Sequence, residues 1–356
     1  MPTRREAAYP GAEAPLPVPE GRAAVAGTVS VEAYARLHFG VLDLRGSRGR
    51  WFGGLGASIS TPSLLVSAST ADTLTVQGED AHRAAEFARR FLAHHHVPGG
   101  VLLRVHRSLP SHAGLGSGTQ LALAVARALA ELYGTNTGAP ELARAVGRAR
   151  RSAIGTWTFA GGGLVVEGGR RPDRDECGPL ITRLPFPSTW RSVVAVPDGT
   201  PGFSGAEEDD AFDRLPKPPE RDVERVAHLV LMLLLPALVD ADLETFGCAL
   251  SEIQEVTGRW FAPVQGGTFA PGPSRDLVRL LAEWGAAGVG QSSWGPAVYG
   301  IVEGADAGVR LAERARAALG SGGRVYEGPF RSEGARICRA NRAATAEGSS
   351  AAPEAC

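Results

Sequence analysis

The segment Leu109 to Gln120, reading LPSHAGLGSGTQ, constrains this chain more than any other. It places glycines at 114, 116 and 118 and runs directly into LALAVARALA over 121–130. Glycine admits the backbone conformations of a tight turn and lets successive N–H groups approach one ligand. A helix opening at once afterwards adds unpaired N–H donors and a partial positive charge. Ser117 and Thr119 add hydroxyl donors beside them. The pattern predicts Val101–Arg107 as a strand, then a loop that cradles phosphate, then a helix over Gln120–Tyr133. A simple helix cap by Ser117 or Thr119 is the alternative, and it needs fewer glycines than are present. No lysine follows Gly118, so this is not a P-loop, and the spacing Gly-x-Gly-x-Gly is not the dinucleotide fingerprint.

Charge narrows the partners. With 37 basic and 38 acidic residues the formal net charge is −1, and no basic stripe alternates with aromatic residues. A nucleic-acid module and a membrane-surface protein are therefore disfavoured, and a soluble cytoplasmic enzyme is expected. Almost all the positive charge is arginine, which suits bidentate recognition of phosphate and carboxylate, although a GC-rich genome gives the same bias. Cys177, Cys248, Cys338 and Cys356 are scattered without a CxxC pair, which argues against a structural zinc and a disulfide scaffold. The apolar run 226–239 holds His228 and Pro236 and is too short to cross a bilayer comfortably.

A chain of 356 residues suggests two domains. Residues 1–26 and 341–356 are rich in Ala, Pro, Gly, Ser and charge and are expected to be disordered. Between them, 27–185 and 186–340 are assigned to an N-terminal and a C-terminal domain. Strands are expected over Thr28–Leu37, Ser63–Thr75, Gly163–Glu167, Trp190–Val196 and Gly323–Tyr326. Helices are expected over Asp80–His96, Glu141–Arg151, Val223–Leu235, Leu243–Val256, Ser274–Trp284 and Ala305–Leu319. Glu207–Pro219 is read as an acidic, Pro-rich linker and Gly288–Val302 as a hairpin. Segregated strands and helices point to an α+β fold. His94, His95 and His96 are consecutive and so diverge on a helix, which reads as a helix end rather than a metal site.

The segment Pro110 to Gly118, PSHAGLGSG, resembles the second motif of the GHMP superfamily, whose kinases wrap nucleotide phosphates in a P-x-x-x-G-L-G-S-S loop. Gly118 stands where those kinases usually carry serine. ARLHFG over 35–40 is similar to the superfamily's first motif, and GVGQSSWGPAV over 288–298 to its glycine-rich third. The resemblance covers about residues 28–335. It implies a two-domain GHMP-kinase-like fold: a ribosomal-protein-like β-α-β domain followed by a ferredoxin-like α+β domain. Four segments taken in order resemble the β-ribofuranosylaminobenzene 5′-phosphate synthase family more narrowly. They are RLHFG over 36–40 with Asp43, His112 to Gln120, RSAIG over 151–155 with the glycines at 161–163 and EGG over 167–169, and GQSSWGP over 290–296.

That resemblance implies condensation of phosphoribosyl pyrophosphate with 4-aminobenzoate or a close analogue, with loss of pyrophosphate and CO2, in methanopterin biosynthesis. It also implies Mg²⁺ at ligands the sequence does not identify, no ATP requirement and a homodimer, while the charge balance leaves neither nucleic acid nor membrane as an expected partner. The alternative is an ATP-dependent small-molecule kinase. Against it, Ile154 to Gly163 lacks the aspartate that base-using family kinases carry there, although some of those kinases work without one.

Arg36 and His38, two apart on one strand face, are expected to contact a phosphate or the benzoate carboxylate without being needed for a core. Asp43 and Arg151 complete the expected catalytic set. His112, Gly114, Leu115, Gly116, Ser117, Gly118, Thr119 and Gln120 form the expected phosphate loop, with Ser117 or Thr119 giving an oxygen to metal or phosphate. Trp157, with Phe159 and Trp294, could wall the aromatic ring, although such residues also fill cores. Gln291, Ser292 and Ser293 could bond ribose hydroxyls.

Overall fold

The computed structural model describes residues 27–199, 201–203 and 205–340. The two expected disordered extensions, 1–26 and 341–356, lie outside the described residues. The chain opens with two long antiparallel strands, β1 (Thr28–Asp43) and β2 (Phe52–Ala71). Next come β3 (Thr75–Gly78), α1 (Ala81–His94), β4 (Gly100–Arg107), α2 (Ser117–Tyr133), α3 (Ala139–Ala145), α4 (Ile154–Gly161), β5 (Leu164–Glu167) and β6 (Leu180–Leu184). The helix α2 lies against β1 and β2, and its alanines and leucines are buried almost all round. Small side chains let it sit close to the sheet, and it stops at Gly134 in the left-handed conformation.

The second half of the chain carries β7 (Trp190–Pro197), α5 (Ala206–Asp213), α6 (Glu220–Leu229), a π-helical turn over Val230–Leu234, α7 (Leu235–Val239), α8 (Leu243–Gln265) and α9 (Pro273–Glu283). It continues through β8 (Gly288–Gln291), β9 (Val298–Glu303), α10 (Ala305–Leu319), β10 (Gly323–Pro329) and β11 (Arg336–Ala340). Two sheets result. The first is seven-stranded, ordered β11-β1-β2-β4-β3 with β5 and β6 branching from β2; the second is four-stranded, β10-β7-β9-β8. The α+β architecture follows directly.

Several boundaries differ from the sequence reading. β2 begins eleven residues before Ser63, because Gly53, Gly54 and Gly56 leave space for other parts of the fold. A side-chain carbon at Gly56 would stand 2.6 Å from Ile154 Cγ2, and one at Gly54 would stand 3.4 Å from His38 Nε2. The helix expected over Glu141–Arg151 ends at Ala145, since Gly147 and Ala149 take positive φ. The expected linker Glu207–Pro219 contains α5, whose first turn carries Glu207, Glu208 and Asp209 where the helix dipole favours acids. Strand β11 pairs with β1 in the first sheet, Thr28 opposite Ala340, so the 186–340 segment returns to the 27–185 segment at its end.

Candidate active site

The glycine loop forms because three of its residues adopt the left-handed backbone: His112 (φ 55), Gly114 (φ 78) and Gly116 (φ 79). It is clamped from both halves of the chain. Ala297 N donates to Ala113 O at 3.1 Å and Gly202 N to His112 O at 2.9 Å. Ser292 Oγ donates to Gly114 O at 2.7 Å and accepts from His38 N at 2.9 Å. Arg36 N donates to Leu115 O at 3.1 Å, while its guanidinium Nη1 also bonds Gly114 O. The three sequence motifs therefore meet at one carbonyl. Register irregularities in β1 on either side of Arg36 and His38 turn that strand toward the loop.

Beside this junction lies a cavity of about 640 Å³. Arg36, His38, Thr119, Arg148, Arg151, Ser152 and Arg170 line it. Phe52, Phe212, Phe261 and Trp294 form an apolar wall, with Phe261 and Trp294 edge to face at 4.7 Å and Phe212 at 5.5 Å from Trp294. Glu208, Asp209 and Asp213 reach the cavity from α5. Arg151 is held by the Glu208 and Asp209 carboxylates and lies 5.1 Å over the Phe212 ring. Gln254 of α8 ties the floor together, donating to Phe39 O and accepting from Gln291 N at 2.8 Å.

Burial, and then the Arg36 charge, push the His38 pKa down to about 3, so its imidazole is neutral at ordinary pH. Its Nε2 lies 3.3 Å from Ser152 Oγ. Burial lowers Arg36 to about 10, which leaves it a cation. Behind the site, burial raises Glu167 to about 7, opposed by hydrogen bonds from Gly169 N at 2.7 Å and Ala153 N at 3.4 Å. The fold thus favours protonated Glu167. Its contribution to stability is full below its ordinary pKa of 4.5 and is lost as pH rises through about 7. Wild type should therefore lose roughly 1–3 kcal/mol relative to Glu167→Gln between those limits and nothing further above them. Urea unfolding of both proteins across that range checks this; a pH-independent difference contradicts it.

The structure gathers some expected site residues and separates others. Arg36, His38, Arg151, Thr119, Gln291 and Ser293 line the cavity. Ser292 is fully buried and acts as the clamp between the two halves. Ser117 and Gly118 open α2. Gln291 spends its amide on Ala270 N, Ser293 O and Gln265, so it shapes the wall. Four expectations are corrected. Asp43 lies outside the cavity lining; its carboxylate accepts from Arg45 N at 2.6 Å and Gly46 N at 2.9 Å, closing the turn after β1. Trp157 gives its indole N–H to Gly178 O at 2.8 Å and does not line the cavity. Gln120 and Leu115 are fully buried, Gln120 donating to Gly155 O at 3.1 Å. Nor are Arg36 and His38 dispensable to the core, since His38 is buried and both residues are built into the loop junction. Sequence reasoning missed Arg148, Gln254, Phe212, Phe261 and the α5 acids; the charge of Glu207–Pro219 was the one available signal.

This fold and site define a class. Residues 81–162 match the model of the GHMP kinases N terminal domain and 234–321 that of the GHMP kinases C terminal. The chain is 35% identical over 291 residues to a β-ribofuranosylphenol 5′-phosphate synthase of Methanothermobacter thermautotrophicus, covering 76% of this chain and 87% of the relative. A protein of the same name from Archaeoglobus fulgidus is 37% identical over 281 residues, covering 76% and 86%. The chain belongs to this family of synthases, within the GHMP superfamily. Among solved structures, L. major mevalonate kinase in complex with R-mevalonate superposes with a TM-score of 0.67 at 17% identity, covering 88% of this chain and all of that one. Homoserine kinase from Cytophaga hutchinsonii gives 0.64 at 17%, covering 88% and 98%. Among the described residues no helix is long and apolar enough to cross a membrane.

Proposed function

We propose that this enzyme condenses phosphoribosyl pyrophosphate with a para-substituted benzoate, 4-aminobenzoate or its hydroxy analogue, in methanopterin biosynthesis. One observation carries the reading: a single cavity joins arginines beside a phosphate-type loop to a wall of aromatic rings. A kinase for a small aliphatic alcohol has no need of that wall. The relatives' name specifies a ribosylated phenol, which accounts for keeping both para substituents.

In the reaction the C1–O bond to pyrophosphate breaks, and the ring carbon bearing the carboxylate bonds to C1. The carboxylate then leaves as CO2 and its electron pair restores the aromatic ring. The residues present suit the needs of these steps. The loop and Arg36 favour the departing anion. The Phe212, Phe261 and Trp294 rings hold the arene flat and exclude water from a cationic sugar. Neutral His38 is a hydrogen-bonding group rather than a charge, so it does not compete with that cation. Mg²⁺ would arrive with the pyrophosphate, needing only one or two protein oxygens, and the Thr119 hydroxyl and Asp213 carboxylate are hard donors of the right kind.

Incubation with phosphoribosyl pyrophosphate and carboxyl-labelled 4-aminobenzoate or 4-hydroxybenzoate should release labelled CO2 without ATP. Stoichiometric ADP formation dependent on homoserine, mevalonate or a similar alcohol, with no CO2, would move the enzyme to the kinases.

A further inference from the structure

Of the arginines lining the cavity, Arg151 has Glu208 and Asp209, whereas Arg36, Arg148, Arg150 and Arg170 join no ion pair among the described residues. Arg148 is set apart by where its guanidinium lies. It leaves α3 through the turn made by Gly147 and Ala149, lines the cavity, and packs 4.9 Å over the Phe87 ring. Its guanidinium joins none of the ion pairs or hydrogen bonds among the described residues, and its Nε is buried without a partner. Arg83 faces it. One Arg83 nitrogen is pinned by Asp80 at 3.3 Å and Ser111 Oγ at 3.0 Å, which leaves Nη2 turned to the start of α2. A side-chain carbon on Gly118 would lie 3.1 Å from Arg83 Nη2 and 3.2 Å from Arg148 Nη2. Two guanidiniums thus converge on one glycine in the first turn of a helix. Burial and then the neighbouring Arg83 and Arg90 charges already push the Arg148 pKa down.

We infer that Arg148 and Arg83 form a clamp for adjacent phosphates at the start of α2, and that they take the pyrophosphate end of the substrate. The identity of that anion rests on the function proposed above. Like charges at close range are unfavourable unless an anion sits between them, and a pyrophosphate offers each guanidinium its own oxygens. Serine in place of Gly118 would crowd both heads, which explains why the loop departs from the kinase pattern there.

The test is calorimetric titration with inorganic pyrophosphate, and separately orthophosphate, of wild type, Arg148→Gln, Arg83→Gln and the double variant. Arg148→Gln should weaken pyrophosphate binding about tenfold or more, the double variant about a hundredfold, and orthophosphate less. The KM for the arene should not move. Pyrophosphate affinity within twofold of wild type in a folded Arg148→Gln protein overturns the clamp, as does absence of binding by wild type. Should Arg148→Gln unfold through loss of its Phe87 contact, Arg83→Gln carries the same test. If wild type releases no CO2 yet pyrophosphate binding depends on both arginines, the proposed reaction falls and the clamp stands.

Discussion

Arg36→Ala should lower kcat/KM for phosphoribosyl pyrophosphate, the substrate proposed above, by about two to three orders of magnitude. A charge-assisted contact to a phosphate is worth about 1.5–3 kcal/mol, a factor of about 10–150. Arg36 also holds the Gly114 carbonyl and lies against Gly116, where a side-chain carbon would meet its Cγ at 3.1 Å. Removing it therefore loosens the loop as well as the charge, and the melting temperature should fall too. Arg36→Lys should recover little, because one ammonium cannot bond Gly114 O and a ligand with a planar fork. In a double-mutant cycle with His38→Ala the combined loss should be smaller than the product of the single losses, since both side chains line one cavity and the Arg36 charge acts on the His38 imidazole. Steady-state kinetics with parallel thermal unfolding measure this. Activity within threefold of wild type for Arg36→Ala would remove the residue from the site.

Gly114→Ala is the second large effect, on stability first. Its φ of 78 disfavours any side chain, and the added carbon would stand 2.2 Å from Ser292 O and 3.2 Å from Gly295 O. Backbone cannot swing aside as a flexible side chain can, so the two halves of the protein must part. Left-handed strain of about 1–2 kcal/mol and overpacking of about 1–3 kcal/mol give an expected loss of about 2–5 kcal/mol. Activity should fall further than the folded fraction explains, because Ser292 positions both the loop and the His38 backbone. Denaturant unfolding checks the first expectation and specific activity of the folded fraction the second. An unchanged midpoint would mean that the loop is not clamped there.

Sequence reading succeeded where one short stretch carries its own physics. The glycines at 114 and 116, the helix after them and the strand before them are legible because turn, dipole and apolar pattern coincide within thirty residues. It failed where a side chain answers to distant partners. The glycines of early β2 fell outside the strand expected over Ser63–Thr75, yet they belong to it and are small because His38 and Ile154 press on them. Asp43 and Trp157 are chemically plausible site groups, and only the folded chain reveals that a turn and Gly178 occupy them. Phe212 and its acidic neighbours were hidden in a stretch whose charge and prolines imitate a linker. Arg148 gave no local sign at all, since its meaning lies in Arg83, which the fold brings to the same glycine.

The pairing of β11 with β1 bears on how the protein is made. Thr28 at the start of the first sheet is opposite Ala340 at its end, so the two ends of the described residues are neighbours. While the chain is being translated, the Thr28–Glu32 edge of β1 waits with unpaired N–H and C=O groups until Arg336–Ala340 has emerged. The first half to emerge is thus the last to be sealed, and a chain that stopped before Arg336 would carry an open β edge available to other chains.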